Sequence, residues 1–241
     1  MSARLKEAQL AFMILTRLPV GRIAGDAPPL AASIWAFPLV GLVLGLGMGL
    51  VFAAATALSL PALACALLAL AAGALATGGL HEDGLADTAD GFGGGPTVTR
   101  KLEIMRDSRI GSYGVLALIF VIGLTASAIA GHGSIAAFLA ISAVSRTVML
   151  LPMTFLKPAR EDGLGHGARA ALQTPFWVAL AVCALVAIAA GVLLPALVML
   201  GAGWAVMTLA RRQIGGQTGD VLGATQKIAE CIGWLSVAAL A

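Results

Sequence analysis

Charge is what this sequence lacks most. Of its 241 residues, 11% are Asp, Glu, Lys or Arg, while 59% are hydrophobic. A soluble domain carries roughly 25% charged residues, and a globule needs that polar surface to face water. A soluble single domain is therefore excluded. The same apolar excess excludes intrinsic disorder. Strong positive charge is also missing: the net charge of +3 is too modest for nucleic-acid binding. Aromatic residues make up only 5%, too few to wall a chamber for a long lipid chain. The 3 cysteines, Cys65, Cys183 and Cys231, lie far apart in apolar runs and lack C-x-x-C spacing. They read as small buried hydrophobes. The first residues carry charge without a long apolar core, so they are not read as a signal peptide.

The remaining charge is unevenly placed. No Asp, Glu, Lys or Arg occurs in residues 27–80, 110–145, 170–210 or 231–241. A bilayer core takes about 20 apolar residues per helix. These stretches predict helices near 33–58, 62–80, 113–131, 135–155, 175–192, 195–210 and 223–240. Leu60-Pro61 and Gly191 to Pro195 supply breaks. The fold class is thus all-α, a polytopic membrane bundle of about seven spans forming a single integral-membrane domain over 1–241. Leu5, Ala8, Phe12 and Leu15 recur at near-helical spacing, which predicts an N-terminal interfacial helix. Residues 18–32, with Pro19, Pro28 and Pro29, read as a non-helical connector.

Lys and Arg then set the orientation. They precede the first span and follow the second, fourth and sixth; the opposite connections carry none. The N-terminus and the acidic loops are expected on the cytoplasmic side. Glycine is abundant, at 30 residues, as close helix packing in a membrane requires.

The informative region is the cytoplasmic segment of about 81–112, which holds 6 of the 12 acids: Glu82, Asp83, Asp87, Asp90, Glu103 and Asp107. Asp83, Asp87 and Asp90 are spaced i, i+4, i+7 and fall within roughly 60° of helical arc. Three carboxylates on one face repel, and a hard divalent cation would remove that cost. Oxygen ligands of this kind suit Mg²⁺ or Mn²⁺, with substrate phosphates completing the shell. Gly91 and Gly93 to Pro96 stop this helix. A second short helix is predicted from Thr97 to Asp107, with Val98, Leu102 and Met105 on its apolar face. Its cations, Arg100, Lys101, Arg106 and the following Arg109, can clamp phosphoryl oxygens or simply mark the inner face.

Further groups lie on the same side. Arg160-Glu-Asp-Gly-Leu-Gly-His166 follows the fourth span, and Gly215-Gly-Gln-Thr-Gly-Asp220 follows the sixth. Gly-rich turns let backbone N–H groups approach an anion. His81 adjoins the Asp cluster and can assist proton transfer or orient a ligand. Arg146 is the cation deepest in a predicted span, so it is a functional candidate as well as a structural one. Lys227 and Glu230, at i,i+3, are expected to pair.

The sequence resembles the adenosylcobinamide-GDP ribazoletransferase family, also called cobalamin 5′-phosphate synthase. His81-Glu-Asp-Gly-Leu-Ala-Asp-Thr-Ala-Asp-Gly91 and Glu103-Ile-Met-Arg-Asp-Ser-Arg-Ile-Gly-Ser-Tyr-Gly114 carry the resemblance. Phe12 to Val20, Arg160 to Gly165 and Gly215 to Ala224 support it. The resemblance implies a multi-pass enzyme of the bacterial inner membrane that completes cobamide assembly. Such an enzyme joins adenosylcobinamide-GDP to α-ribazole or its 5′-phosphate, releases GMP and needs Mg²⁺.

Asp83, Asp87 and Asp90 are the expected metal ligands. Arg106 and Arg109 are expected to neutralise the transferring phosphoryl group, and Asp107 to be a further ligand or the base. Substrate binding falls to His81, Glu82, Lys101 and Ser108, with Arg160, Asp162, Gly215, Gly216, Thr218 and Asp220. The partners are these two substrates and the lipid bilayer, with no nucleic acid; a homo-oligomer is left open. Two alternatives are weighed. An ion-coupled transporter would place ionisable groups along a path at the midplane, whereas the acids here gather at one face. A Mg²⁺-dependent membrane prenyltransferase would want two Asp-rich motifs and an aromatic chamber.

Overall fold

A computed structural model describes residues 2–160 and 174–241. Among them no strand forms; one isolated bridge joins Pro158 to Gln217. Helix α1 (Ala3–Leu15) is capped by the Ser2 side chain, which accepts the Leu5 N–H. A connector follows, then α2 (Leu30–Ser33) and a 3₁₀ turn leading into α3 (Phe37–Ala57). Next come α4 (Ala62–Thr77), α5 (Leu80–Gly94), α6 (Val98–Ile104) and α7 (Ser112–His132). Helix α8 (Ile135–Val148) continues past Met149 as α9 (Leu150–Phe155). The chain ends with α10 (Thr174–Ala189), α11 (Leu193–Ile214) and α12 (Gly219–Leu240).

Every predicted span is a helix in its predicted place, and the fold is a helical membrane bundle. Among the described residues, four helices are long and apolar enough to cross a membrane: Leu30–Ala57, Ser112–His132, Ile135–Phe155 and Leu193–Ile214. The bent pair α4–α5 makes a fifth if taken as one span. Helix α10 is apolar but shorter. Helix α12 is long but carries Asp220, Lys227 and Glu230. Lys227 and Glu230 are buried against other helices, so α12 does not need a lipid-compatible sequence throughout.

Helix α8 is the centre of the bundle. Its span window is 78% buried, against 28% for α7, which faces outward. Gly41, Gly45 and Gly49 form a stripe along α3, and a Cβ on Gly41 or Gly45 would collide with the α8 backbone. With no side chain between them, the two helices pack backbone to backbone. Phe138 of α8 and Trp234 of α12 close the core edge to face, with ring centroids 4.8 Å apart.

Two local expectations shift. Helix α1 turns Glu7, Ala11 and Leu15 inward and leaves Leu5 exposed. The reason is Glu7, whose Oε2 accepts the Trp35 indole N–H at 2.7 Å and pairs with Arg4 at 2.8 Å. Helix α6 ends at Ile104, before the predicted Asp107, and Val98 is exposed on it. Asp107 instead accepts the Arg109 N–H at 3.1 Å, a local bond that competes with helix continuation.

Candidate active site

The site begins at a sharp turn. Gly78 ends α4 and Gly79 starts α5, at φ of 69° and 72°. This left-handed pair suits glycine alone and bends the two helices by 92°. Helix α5 then packs on α12 and α7.

Helix α5 carries the three aspartates on one face, as their spacing predicts, but their surroundings differ. Asp83 is exposed, Asp87 half-buried and Asp90 buried. Asp90 accepts the Gly111 N–H at 2.7 Å and the Gly114 N–H at 2.9 Å. Its carboxylate therefore caps the N-terminus of α7, where negative charge is favoured. Burial, followed by the charges of Asp83, Asp220 and Asp90, pushes the Asp87 carboxyl up to about 7.

Asp220 reaches this face from the first turn of α12. A Cβ on Gly84 would lie 2.8 Å from the Asp220 carbonyl oxygen, so α5 and α12 cross in backbone contact there. Asp220 Oδ2 accepts the Thr218 hydroxyl at 3.1 Å and faces Arg160 Nη1 at 3.5 Å. Burial raises the Asp220 carboxyl, and the Arg160 guanidinium opposes that rise. Arg160 Nη2 donates to the Leu102 carbonyl at 3.0 Å. The two loops are tied by the Gln217 N–H on the Lys157 carbonyl (2.9 Å) and the Ala159 N–H on the Gln217 carbonyl (2.8 Å). Arg106 adds its positive charge to the field at Asp220. Gly215 and Gly216 shape this second loop, and Thr218 caps α12.

Other expected site residues lie elsewhere. Asp107 and Arg109 bind each other at 2.7 Å on the surface. The Arg109 hydrogen bonds pull the Asp107 carboxyl down to about 2. Ser108 is exposed between them. Lys101 donates its Nζ to Gln213 Oε1 of α11. Asp162 lies outside the described residues. Glu82 turns toward the bundle and pairs with Lys227 at 3.1 Å. Lys227 also pairs with Glu230 at 2.5 Å, as expected, and buried Arg146 faces Glu230 and Glu82. Arg146 Nη1 donates to the Ser142 carbonyl at 3.1 Å.

Two cavities open beside Asp83. One, of about 130 Å³, has apolar walls such as Phe37, Met149, Met153 and Leu222, with His81, Asp83 and Asp220 at its polar end. Burial, then the charges of Arg146 and Lys227, hold His81 well below its usual value, so the imidazole is neutral. The other, of about 700 Å³, lies between the N-terminal segment and the α4–α5 turn and is bordered by Arg17, Gly78, Glu82 and Asp83.

The sequence profile described as cobalamin-5-phosphate synthase matches residues 7–238. The chain belongs to the cobalamin-5-phosphate synthase family. Relatives named adenosylcobinamide-GDP ribazoletransferase include one from Bradyrhizobium diazoefficiens, 45% identical over 97% of this chain and 93% of its own length. Those from Mesorhizobium japonicum and Azorhizobium caulinodans are 43% and 41% identical, over 98% and 94% of this chain and 94% and 92% of theirs. No solved structure matches.

The chain sets its carboxylates in two groups. Asp83, Asp87 and Asp220 meet on one face, while Asp90 anchors α7. Among the described residues no three His, Cys, Asp or Glu side chains close into a metal cage. The donor set still fits Mg²⁺, which takes one or two carboxylates and leaves the rest of its shell to water and phosphates. Asp83 and Asp87 lie one helical turn apart, and the Asp83 charge raises the Asp87 carboxyl.

Proposed function

We propose that this family member joins adenosylcobinamide-GDP to α-ribazole or α-ribazole 5′-phosphate. The products are adenosylcobalamin or its 5′-phosphate, and GMP. One observation carries the reading: carboxylates of α5 meet Asp220, Arg160 and the charge of Arg106 at one membrane face. That combination suits a phosphoryl group in transfer.

Asp83 and Asp87 would hold Mg²⁺, which neutralises phosphate charge when bound. The ribose hydroxyl attacks the phosphorus on the cobinamide side, and the bond to GMP breaks. Asp220, raised by burial, is better suited to take the hydroxyl proton than Asp107, which Arg109 holds down near 2. Arg160 and Arg106 hold the phosphoryl oxygens. The apolar walls of the cavity beside His81 would limit water at its polar end. The excess of Lys and Arg on this side of the bundle supports a cytoplasmic site in the bacterial inner membrane.

The test uses the full chain in lipid nanodiscs with Mg²⁺ and both substrates, reading GMP release. Asp87→Asn should cut turnover by about 100-fold or more. Near wild-type turnover in that variant would overturn the metal assignment, and absence of GMP from the wild type would overturn the reaction.

A further inference from the structure

We infer that the 700 Å³ cavity is an anion subsite in which Arg17 binds a diphosphate whose divalent cation sits on Asp83. This rests on the phosphoryl-transfer reading above.

The segment holding Arg17 is not helical, yet it is fixed along its length. The Thr16 hydroxyl donates to the Phe12 carbonyl at 2.7 Å, and the Leu18 N–H donates to the Thr16 hydroxyl at 3.2 Å. Gln9 Nε2 donates to the Val20 carbonyl at 2.7 Å. The Arg17 N–H itself donates to the Ala76 carbonyl at 2.7 Å, in the last turn of α4. The guanidinium then lies against Gly78, where any Cβ would collide with it. The left-handed glycine that bends α4 into α5 thus also makes room for this cation.

Among the described residues, Arg17 is the only cation bordering this cavity. Arg17 is exposed, and among the described residues no carboxylate lies within ion-pair distance of it. It borders the same cavity as Asp83, so one ligand can meet both. A guanidinium offers a planar fork to two phosphate oxygens. A volume of about 700 Å³ takes a diphosphate and part of its nucleotide.

A lipid phosphate shares this chemistry, and Met13, Ile110 and Leu118 give the cavity an apolar side. Asp83 favours the diphosphate: its carboxylate repels a bare anionic headgroup but accepts an anion that brings its own cation.

The probe is inorganic pyrophosphate with Mg²⁺, added to the full chain in neutral phosphatidylcholine nanodiscs. Melting of the wild type should rise with pyrophosphate concentration. Arg17→Ala should weaken the apparent affinity by about 10-fold or more, and Arg17→Lys should recover part of it. Without ligand, both variants should melt within about 3 °C of wild type, which separates binding from folding. An unchanged response in Arg17→Ala, or no response in the wild type, overturns the subsite. Discs containing phosphatidylglycerol form the second arm. If that lipid alone raises melting through Arg17 and pyrophosphate adds nothing, the occupant is a headgroup and the diphosphate assignment falls. GMP release is read in parallel. A wild type that binds pyrophosphate through Arg17 yet releases no GMP keeps the subsite and overturns the reaction.

Discussion

Asp87 and Asp90 sit on one helical face, three residues apart, and their carboxylates are held in opposite ways. Burial and the neighbouring acids lift Asp87 to about 7, above the value it has in an unfolded chain. Between those two values the folded protein holds the proton more tightly, so metal-free stability falls as pH rises through that window. With chelator present, the melting temperature should decline from pH 5 to pH 8, and Asp87→Asn should flatten that decline. Mg²⁺ should restore the wild type at pH 8, where the carboxylate is ionised, and not the variant. A melting temperature independent of pH would contradict the environment assigned to Asp87. Asp90 makes a different prediction. Its removal in Asp90→Ala leaves the Gly111 and Gly114 N–H groups unpaired at the start of α7. The expected cost is about 2–4 kcal/mol at any pH above the carboxylate range, read by denaturation. The i, i+4, i+7 spacing gave the shared face. It was silent on Asp90's partners because they belong to α7, which only the fold brings near.

At the scale of helices, the site depends on how α5 is held. Glu82 of α5 pairs with Lys227 of α12, which pairs with Glu230, while Arg146 of α8 faces both acids. Two cations and two anions from three helices thus close a buried, charge-balanced network. Replacing Lys227 with Met would leave Glu82 and Glu230 facing Arg146 alone. Breaking a buried pair costs about 3–5 kcal/mol, so Lys227→Met should lower melting markedly and loosen α5. Hydrogen exchange should rise at α5 and the start of α12 more than in α3. Unchanged protection there would remove the network from the account of the site. Element positions were legible because Pro, Gly and uncharged stretches punctuate the chain. The faces were less so. Glu7 turns inward to meet Trp35, and Glu82 turns toward Lys227, each for a partner that is distant in sequence. An acid read from sequence alone is placed with its neighbours, whereas these two are placed by their cross-helix bonds.

For the whole molecule, the scarcity of charge is a statement about sidedness. The loops that carry Lys and Arg are those that carry the acids, and the 92° bend at Gly78–Gly79 turns α5 across the line of α4. The proposed reaction on a nucleotide-activated substrate requires these loops to be cytoplasmic. Single cysteines test it, because Cys65, Cys183 and Cys231 are buried and can be replaced to clear the background. Ser108 is exposed before the start of α7, and Gly131, at the far end of α7, has open space for a side chain. Helix α7, with 21 residues, is long enough to put them on opposite sides of a bilayer core. A membrane-impermeant maleimide should label Ser108→Cys in inverted vesicles and not in intact spheroplasts. Gly131→Cys should show the reverse. The opposite pattern would place the carboxylates outside the cell, away from any nucleotide. Labelling of both positions from one side would mean that α7 does not cross.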